Sequence, residues 1–461
     1  MAASMALARR RRSNELSLVV MAAVITAGAY TLAALGEYAA MPARIVPFLA
    51  VLLGLLVFAH IGVRLFARGA DATLLPLAAI LHGLGYVMIT RLDDELAGFQ
   101  TTWSIVAVIA FVGVLVVIQR ATDLARYRWS LLAAGLGLLL LPMVPGLGYS
   151  VEGARLWVSV GPISFQPGEF AKIALAIFFA AYLAERRELL ATGTWKVGPL
   201  RLPEPRHLLP IAVAWGFTVL VMVGLNDLGS SLLFFALFVV MLWVATERTS
   251  YLLLGAVLFA LGAYIAYQTV SKVSTRVERW LDPWADPQGS GYQILQGLYG
   301  LTDGGLVGTG LGRGSPGTVP LIETDFIFTA VGEELGLFGA TAVLVAYLLL
   351  IGAGLRTALR TDNTFEKLLA TGLTTILGVQ AFIIIGGVTK LVPLTGITLP
   401  FVSYGGSSLV SNYIVLALLI RLSDSAARRR HELPDDPTPR ERWQAWRLRR
   451  RTRKHPDLAT P

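Results

Sequence analysis

The residues able to do chemistry concentrate in one long interruption of an otherwise apolar sequence, from about Ser271 to Phe328. Within it, Arg276-Val-Glu-Arg279-Trp-Leu-Asp282-Pro-Trp-Ala-Asp286-Pro-Gln-Gly-Ser-Gly-Tyr-Gln293 sets two Asp-Pro steps four residues apart among arginines and tryptophans. The residue before a proline is disfavoured in helix, so Asp282 and Asp286 are expected to cap turns or short helices. Turn chemistry alone would account for such a pair. A carboxylate beside Gly289 and Gly291, where backbone can approach a bulky ligand, can also serve as a general base.

Further polar segments stand at the ends of apolar runs. Gly153-Ala-Arg155-Leu-Trp157 is followed by Gln166-Pro-Gly-Glu169-Phe-Ala-Lys172. Glu169 and Lys172 are three residues apart and share a helical face. They are either a helix-start pair favoured by the dipole or a charged pair facing a bundle interior, which marks a substrate pathway. Asn226-Asp227-Leu-Gly229 reads as a tight turn with Asp227 as its cap. Thr324-Asp325, Glu333-Glu334, Lys390 and the run Ser403-Tyr-Gly-Gly-Ser407-Ser408 complete the set. None of the five histidines lies in these segments, which speaks against a His-built metal centre. An oxygen-ligated Mg2+ or Mn2+, held mainly by substrate phosphates, remains compatible.

The elements that must position these residues are membrane helices. With 55% hydrophobic residues, 15% charged and a mean hydropathy of +0.64 over 461 residues, the chain reads as an all-α polytopic membrane protein. About twelve spans are expected, near 16–35, 44–63, 73–91, 102–119, 129–147, 169–184, 208–225, 230–246, 250–270, 327–354, 368–389 and 400–421. Residues 1–15 form a basic amino terminus, and 423–461 a basic tail. Arginine and lysine fall in alternate connections, while acids and the long segment 271–326 fall in the others, so both termini are expected in the cytoplasm and the long segment outside. The absence of cysteine excludes disulfides, thiolate metal sites and a cysteine nucleophile. The net charge of +9 flanks spans and does not indicate a nucleic-acid partner.

Taken together, Asp-Pro-x-x-Asp-Pro-x-Gly-x-Gly-Tyr-Gln at 282–293, Gln-Pro-x-Glu-x-x-Lys at 166–172, Asp-Leu-Gly at 227–229, Thr-Asp-Phe-Ile-Phe at 324–328, Gly-Glu-Glu-Leu-Gly at 332–336 and Pro-Phe-Val-Ser-Tyr-Gly-Gly-Ser-Ser at 400–408 resemble the SEDS family (shape, elongation, division and sporulation; the RodA and FtsW proteins). The resemblance runs from about residue 130 to 422. Three features depart from it: Arg155 comes one position early in the Gly-Ala-x-Arg-Trp pattern, Glu323 stands where His is common, and Asn226 where Pro is common. Two extra helices, within 16–63, precede the ten of many relatives. Asp282, often Asn in division-type members, aligns the chain with the elongation-type branch.

The resemblance implies a peptidoglycan glycosyltransferase that polymerises lipid II on the outer face of the bacterial cytoplasmic membrane. It also implies a class B penicillin-binding protein as transpeptidase partner, because the chain has no soluble crosslinking domain. Asp286 matches the family's catalytic aspartate. Inverting attack by a sugar hydroxyl on a lipid-pyrophosphate donor needs one base and a cationic cradle for the leaving group, for which Lys172, Arg276, Arg279 and Lys390 are candidates. Arg155, Trp157, Glu169, Asp227, Thr324, Asp325, Ser403 and Ser407 are the further substrate-binding candidates. A lipid II flippase is the alternative; a solute transporter would be expected to show internal repeats, and none is found.

Overall fold

The computed structural model describes residues 2–41, 45–151, 153–161, 163–191, 195–197, 200–202 and 205–430; the rest of the basic tail, 431–461, lies outside them. Helices run α1 Ala2–Tyr38, α2 Ile45–Phe66, α3 Leu74–Leu92, α4 Asp94–Val117, α5 Arg128–Leu140, α6 Pro167–Ala191, α7 Pro205–Gly224, α8 Leu228–Thr246, α9 Ser250–Thr269, α10 Ser271–Leu281, α11 Tyr292–Gly304, α12 Ile327–Leu359, α13 Thr364–Val388 and α14 Gly406–Arg429. Among the described residues eleven helical stretches are long and apolar enough to cross a membrane, one of them joining α5 to the 3-10 turns on either side of it as Ala121–Met143, and α7 adds the shorter apolar stretch Leu209–Gly224. In lipid every backbone group must be satisfied within its own segment, which is why the spanning elements are helices.

Side-chain caps set the boundaries that hydropathy alone misplaces. Asp93 accepts hydrogen bonds from the Glu95 and Leu96 N–H groups, so α4 starts well before the apolar run expected at 102. The stretch 400–405, read as the start of the last span, is instead a turn: Phe401 has φ 69° and α14 begins at Gly406. At its other end α14 continues past Leu422 to Arg429. There Asp424 pairs with Arg421 and Arg428 and accepts the Gly69 N–H at 2.7 Å.

The centre of the bundle is α6, α13 and α14, whose apolar windows are 83%, 72% and 89% buried, whereas that of α9 is only 11% buried and lies at the periphery. α14 packs on α4, α6 on α5, and α12 on α13. The first two helices are fastened to this core: Glu15, fully buried on α1, meets His60 Nδ1 at 2.8 Å and the Arg64 guanidinium of α2.

Two small sheets sit in connections that the sequence pattern gave as loops. β1 Gly148–Val151, β2 Ala154–Val160 and β3 Ile163–Phe165 form an antiparallel meander just before α6. β4 Trp195–Val197 and β5 Leu200–Leu202 form a hairpin between α6 and α7. The long interruption is likewise structured, by α10, a 3-10 turn at Pro283–Ala285, α11, and a loop leading into α12.

Candidate functional site

Both Asp-Pro acids do turn chemistry. Asp282 caps the Pro283–Ala285 turn by accepting the Trp284 N–H at 3.1 Å. Asp286, the general-base candidate, accepts the Gly289 N–H at 3.1 Å and the Ser290 N–H at 2.6 Å. These backbone donors, Ser290 first and with Arg279 adding a smaller effect, hold the Asp286 carboxyl below its ordinary pKa. The side chain is nevertheless exposed to solvent, so a ligand can reach it. A Cβ at Gly289 would run into that carboxylate, and one at Gly291 into the Pro283 carbonyl, so both glycines are required by close approach.

A cationic ledge lies beside this turn. Lys390 Nζ sits 4.8 Å from the centre of the Trp284 ring and 3.4 Å from the Leu281 carbonyl oxygen, while Trp280 Nε1 donates to the Lys390 carbonyl at 3.0 Å. Lys390 itself adopts φ 60°, a left-handed conformation held by these contacts. Arg279, the last basic residue of α10, is half-buried, and its Nε lacks a hydrogen-bond partner among the described residues.

One layer further in, Arg276 Nη1 donates to the Thr395 carbonyl at 3.1 Å. The next residue, Gly396, has φ 75°, and a Cβ there would stand 3.6 Å from Asp325 Oδ2 and 3.9 Å from Arg276 Nη2. Asp325 and Arg276 therefore flank the same backbone bend. Asp227 caps α8 through the Ser230 N–H at 2.9 Å, and Gly229 behind it packs on Thr395 and Ile397. Burial raises the Asp227 carboxyl above its ordinary pKa, against the pull of that N–H.

The deepest layer is a buried polar cluster. Lys172 Nζ lies 2.6 Å from Glu169 Oε2 and 3.1 Å from Gln380 Oε1; Ser411 Oγ donates to the same Glu169 oxygen at 2.6 Å. Three helices, α6, α13 and α14, thus share one ion pair. Gln380 and Ser411 were missed in the sequence, although a polar residue inside an otherwise apolar span is itself a signal.

Other candidates tie segments together. Ser403 Oγ donates to the Thr324 carbonyl at 2.5 Å and accepts the Leu399 N–H; Ser407 Oγ accepts the Gln166 N–H at 3.0 Å. Trp157 is half-buried in β2, paired with Tyr149. Arg155 donates to the Gly148 carbonyl within the meander, and its own N–H bonds the Leu225 carbonyl, bringing the sheet to the α7–α8 turn. Among the described residues no group of three His, Cys, Asp or Glu side chains is placed to hold a metal ion.

Fold and site together define a polytopic helical membrane protein whose acidic and basic side chains gather where the long interruption meets the segment after α13 and the start of α8. Residues 71–428 match the FtsW/RodA/SpoVE family of cell cycle proteins, and the chain belongs to that family. It is 44% identical over 440 residues to the peptidoglycan glycosyltransferase RodA of Mycobacterium tuberculosis, covering 93% of this chain and 94% of that protein. To the probable peptidoglycan glycosyltransferase FtsW of Geobacter metallireducens it is 33% identical over 366 residues, covering 77% and 94%. Among solved structures, a chain from a peptidoglycan synthase complex that coordinates polymerization and crosslinking superposes with a TM-score of 0.65 at 27% identity, covering 77% of this chain and 98% of that one. The rod shape determining protein RodA of Thermus thermophilus gives 0.56 at 26%, covering 77% and 96%.

Proposed function

We propose that this chain is a peptidoglycan glycosyltransferase that polymerises lipid II into glycan strands for cell elongation and shape. The observation that carries the reading is the exposed Asp286 carboxylate, ionised and fixed by two backbone N–H groups, beside the cations Arg279 and Lys390. Its likeness to RodA over nearly the whole chain supports the same reading and the elongation branch.

In this mechanism a sugar hydroxyl of the acceptor attacks the anomeric carbon of the donor. The C–O bond to the pyrophosphate breaks as the new glycosidic bond forms, with inversion, and the hydroxyl proton passes to Asp286. The departing undecaprenyl pyrophosphate carries the developing negative charge, which Arg276, Arg279 and Lys390 stabilise. Asp227, Asp325 and Thr324 line the inner wall. Glu169 and Lys172 fix α6 against α13 and α14 beneath it, and Lys172 supplies a further positive charge. Arg155, Trp157, Ser403 and Ser407 hold the rim segments that contact the substrate. A divalent cation, Mg2+ or Mn2+, fits as an ion carried mainly by the pyrophosphate. Such an ion needs only one or two protein carboxylates, which Asp286 or Asp325 can offer.

The basic residues of the opposite connections support a reaction at the outer face of the bacterial cytoplasmic membrane, with both termini inside. A class B penicillin-binding protein fits as the crosslinking partner, consistent with the synthase complex that contains the similar solved chain. Purified protein in detergent, given lipid II and Mg2+, should make glycan chains with no bilayer present. Failure to polymerise, together with lipid II translocation in vesicles, would replace this reading by that of a flippase.

A further inference from the structure

Helices α1 and α2 precede the family match, and with α3 and α4 they enclose two adjoining cavities. The larger in volume, about 350 Å³, is a basin in which the charged side chains Glu37, Arg91 and Asp94 stand among apolar ones such as Ala34, Met41 and Val87. The second, about 230 Å³, is an apolar slot running beneath it past Phe48, Leu52, Leu55 and Ala79. Tyr30, Thr90 and Asp94 line both, so basin and slot form one amphipathic pocket. Glycine explains its shape. Gly62 lets α2 pack directly on Val112 of α4, while at Gly98 of α4 a Cβ would meet nothing within 4 Å. Gly98 and the exposed Pro47 and Val51 of α2 therefore form open lips to the surrounding lipid.

The charges in the basin define the headgroup. Arg91 is paired with Glu37 at 3.3 Å and Glu334 at 3.3 Å, whereas Asp94 is exposed and has no cation partner among the described residues. Carboxylates outnumber the guanidinium, which disfavours an anionic headgroup and favours one that brings an ammonium together with a phosphate. We propose that the pocket binds one zwitterionic glycerophospholipid of the phosphatidylethanolamine type. Its ammonium faces Asp94 and Glu37, its phosphate faces Arg91, and one acyl chain enters the slot between α2 and α4.

The site is wired to the long interruption. Arg91 Nη2 donates to the Gly314 carbonyl at 3.2 Å, and the Gly312 N–H donates to Glu334 Oε2 at 3.0 Å. Gly312 also abuts Ala33 and Glu37 of α1, so closely that no side chain fits. A lipid seated against α1 thereby steadies the segment Gly305–Ser315 of the long interruption, between α11 and α12. None of these residues belongs to the catalytic or substrate-binding set.

The test uses the intact protein, delipidated in detergent and titrated with phosphatidylethanolamine, phosphatidylglycerol or undecaprenyl phosphate. Bound lipids are counted by native mass spectrometry, and the shift in Tm is followed. Wild type should retain one more phosphatidylethanolamine than phosphatidylglycerol, and that lipid should raise Tm. Gly98→Trp, whose Cβ meets no protein atom within 4 Å and whose indole would fill the mouth of the slot, should lose that one lipid and its Tm shift. Asp94→Asn should bind the two phospholipids equally. An unchanged lipid count in Gly98→Trp, an undiminished headgroup preference in Asp94→Asn, or preferential retention of undecaprenyl phosphate by wild type would each overturn the proposal.

Discussion

Lys172 Nζ and Glu169 Oε2 stand 2.6 Å apart, one helical turn from each other on α6, and both side chains are buried where α6 meets α13 and α14. An ion pair in such a place costs desolvation, and Gln380 and Ser411 offset part of that cost by filling the remaining hydrogen-bonding positions. Removing one member leaves the other buried and uncompensated, a penalty of about 3–5 kcal/mol. Glu169→Gln and Lys172→Met are each expected to lower Tm clearly, while the double variant recovers much of the loss. For a role beyond stability, polymerisation per folded molecule should fall at least a hundredfold in all three, about 2.7 kcal/mol of barrier. Activity that returns with stability in the double variant would leave the pair a purely structural tie.

How far this cluster was legible follows from where its members lie. Glu169 and Lys172 share a face at a spacing that any helix enforces, so their pairing could be read from the chain itself. Gln380 and Ser411 join them only because three helices meet, and no local periodicity encodes that meeting. The same holds for Arg276 and Gly396, which are brought together by tertiary packing of segments far apart in the sequence. Of the twelve spans expected, eleven and the shorter stretch of α7 are found among the described residues, because lipid leaves few alternatives; their ends were less legible, since Asp93 and Asp424 act through hydrogen bonds rather than hydropathy. The meander of β1 to β3 was missed because short strands between glycines resemble a loop when the surrounding pattern is helical.

Orientation can be checked in a chain that has no native cysteine. Gly317 is exposed, and a Cβ there meets nothing within 4 Å; Asp362, between α12 and α13, is also exposed. Ser425 is a poorer reporter for the opposite face, being half-buried and donating to Glu366. In intact cells Gly317→Cys should react with a membrane-impermeant thiol reagent and Asp362→Cys should react only after lysis. The reverse pattern would invert the topology.

Gly396 is required by backbone conformation more than by space. At φ 75° an alanine is strained by about 1–2 kcal/mol, and relaxing the strain shifts Thr395, whose carbonyl holds Arg276. Gly396→Ala is expected to reduce polymerisation about tenfold, about 1.4 kcal/mol. Gly317→Ala, in open space, should be neutral. Equal activity in the two variants would separate Arg276 from the leaving-group cradle.

Asp286 carries the sharpest test, because its geometry makes two demands at once. Its oxygens hold the turn through the Gly289 and Ser290 N–H groups, and the same bonds keep it ionised by lowering its pKa. A lowered pKa in the folded state means that stabilisation by the anion is present above the ordinary carboxylate pKa and fades as pH falls through the lowered value. The free enzyme should therefore show no acid limb from Asp286 in kcat/KM between pH 7 and about 5, since an ordinary Asp already titrates near 3.9. Asp286→Asn retains one oxygen acceptor for the turn while removing the basic group. It should fold, bind lipid II, and polymerise about a hundred- to ten-thousandfold more slowly. Asp282→Asn, which preserves the cap on Trp284, should keep substantial activity. Glycan-chain formation measured on purified, folded variants decides the assignment: near-normal polymerisation by Asp286→Asn would remove this carboxylate as the base and leave it a turn former like its neighbour.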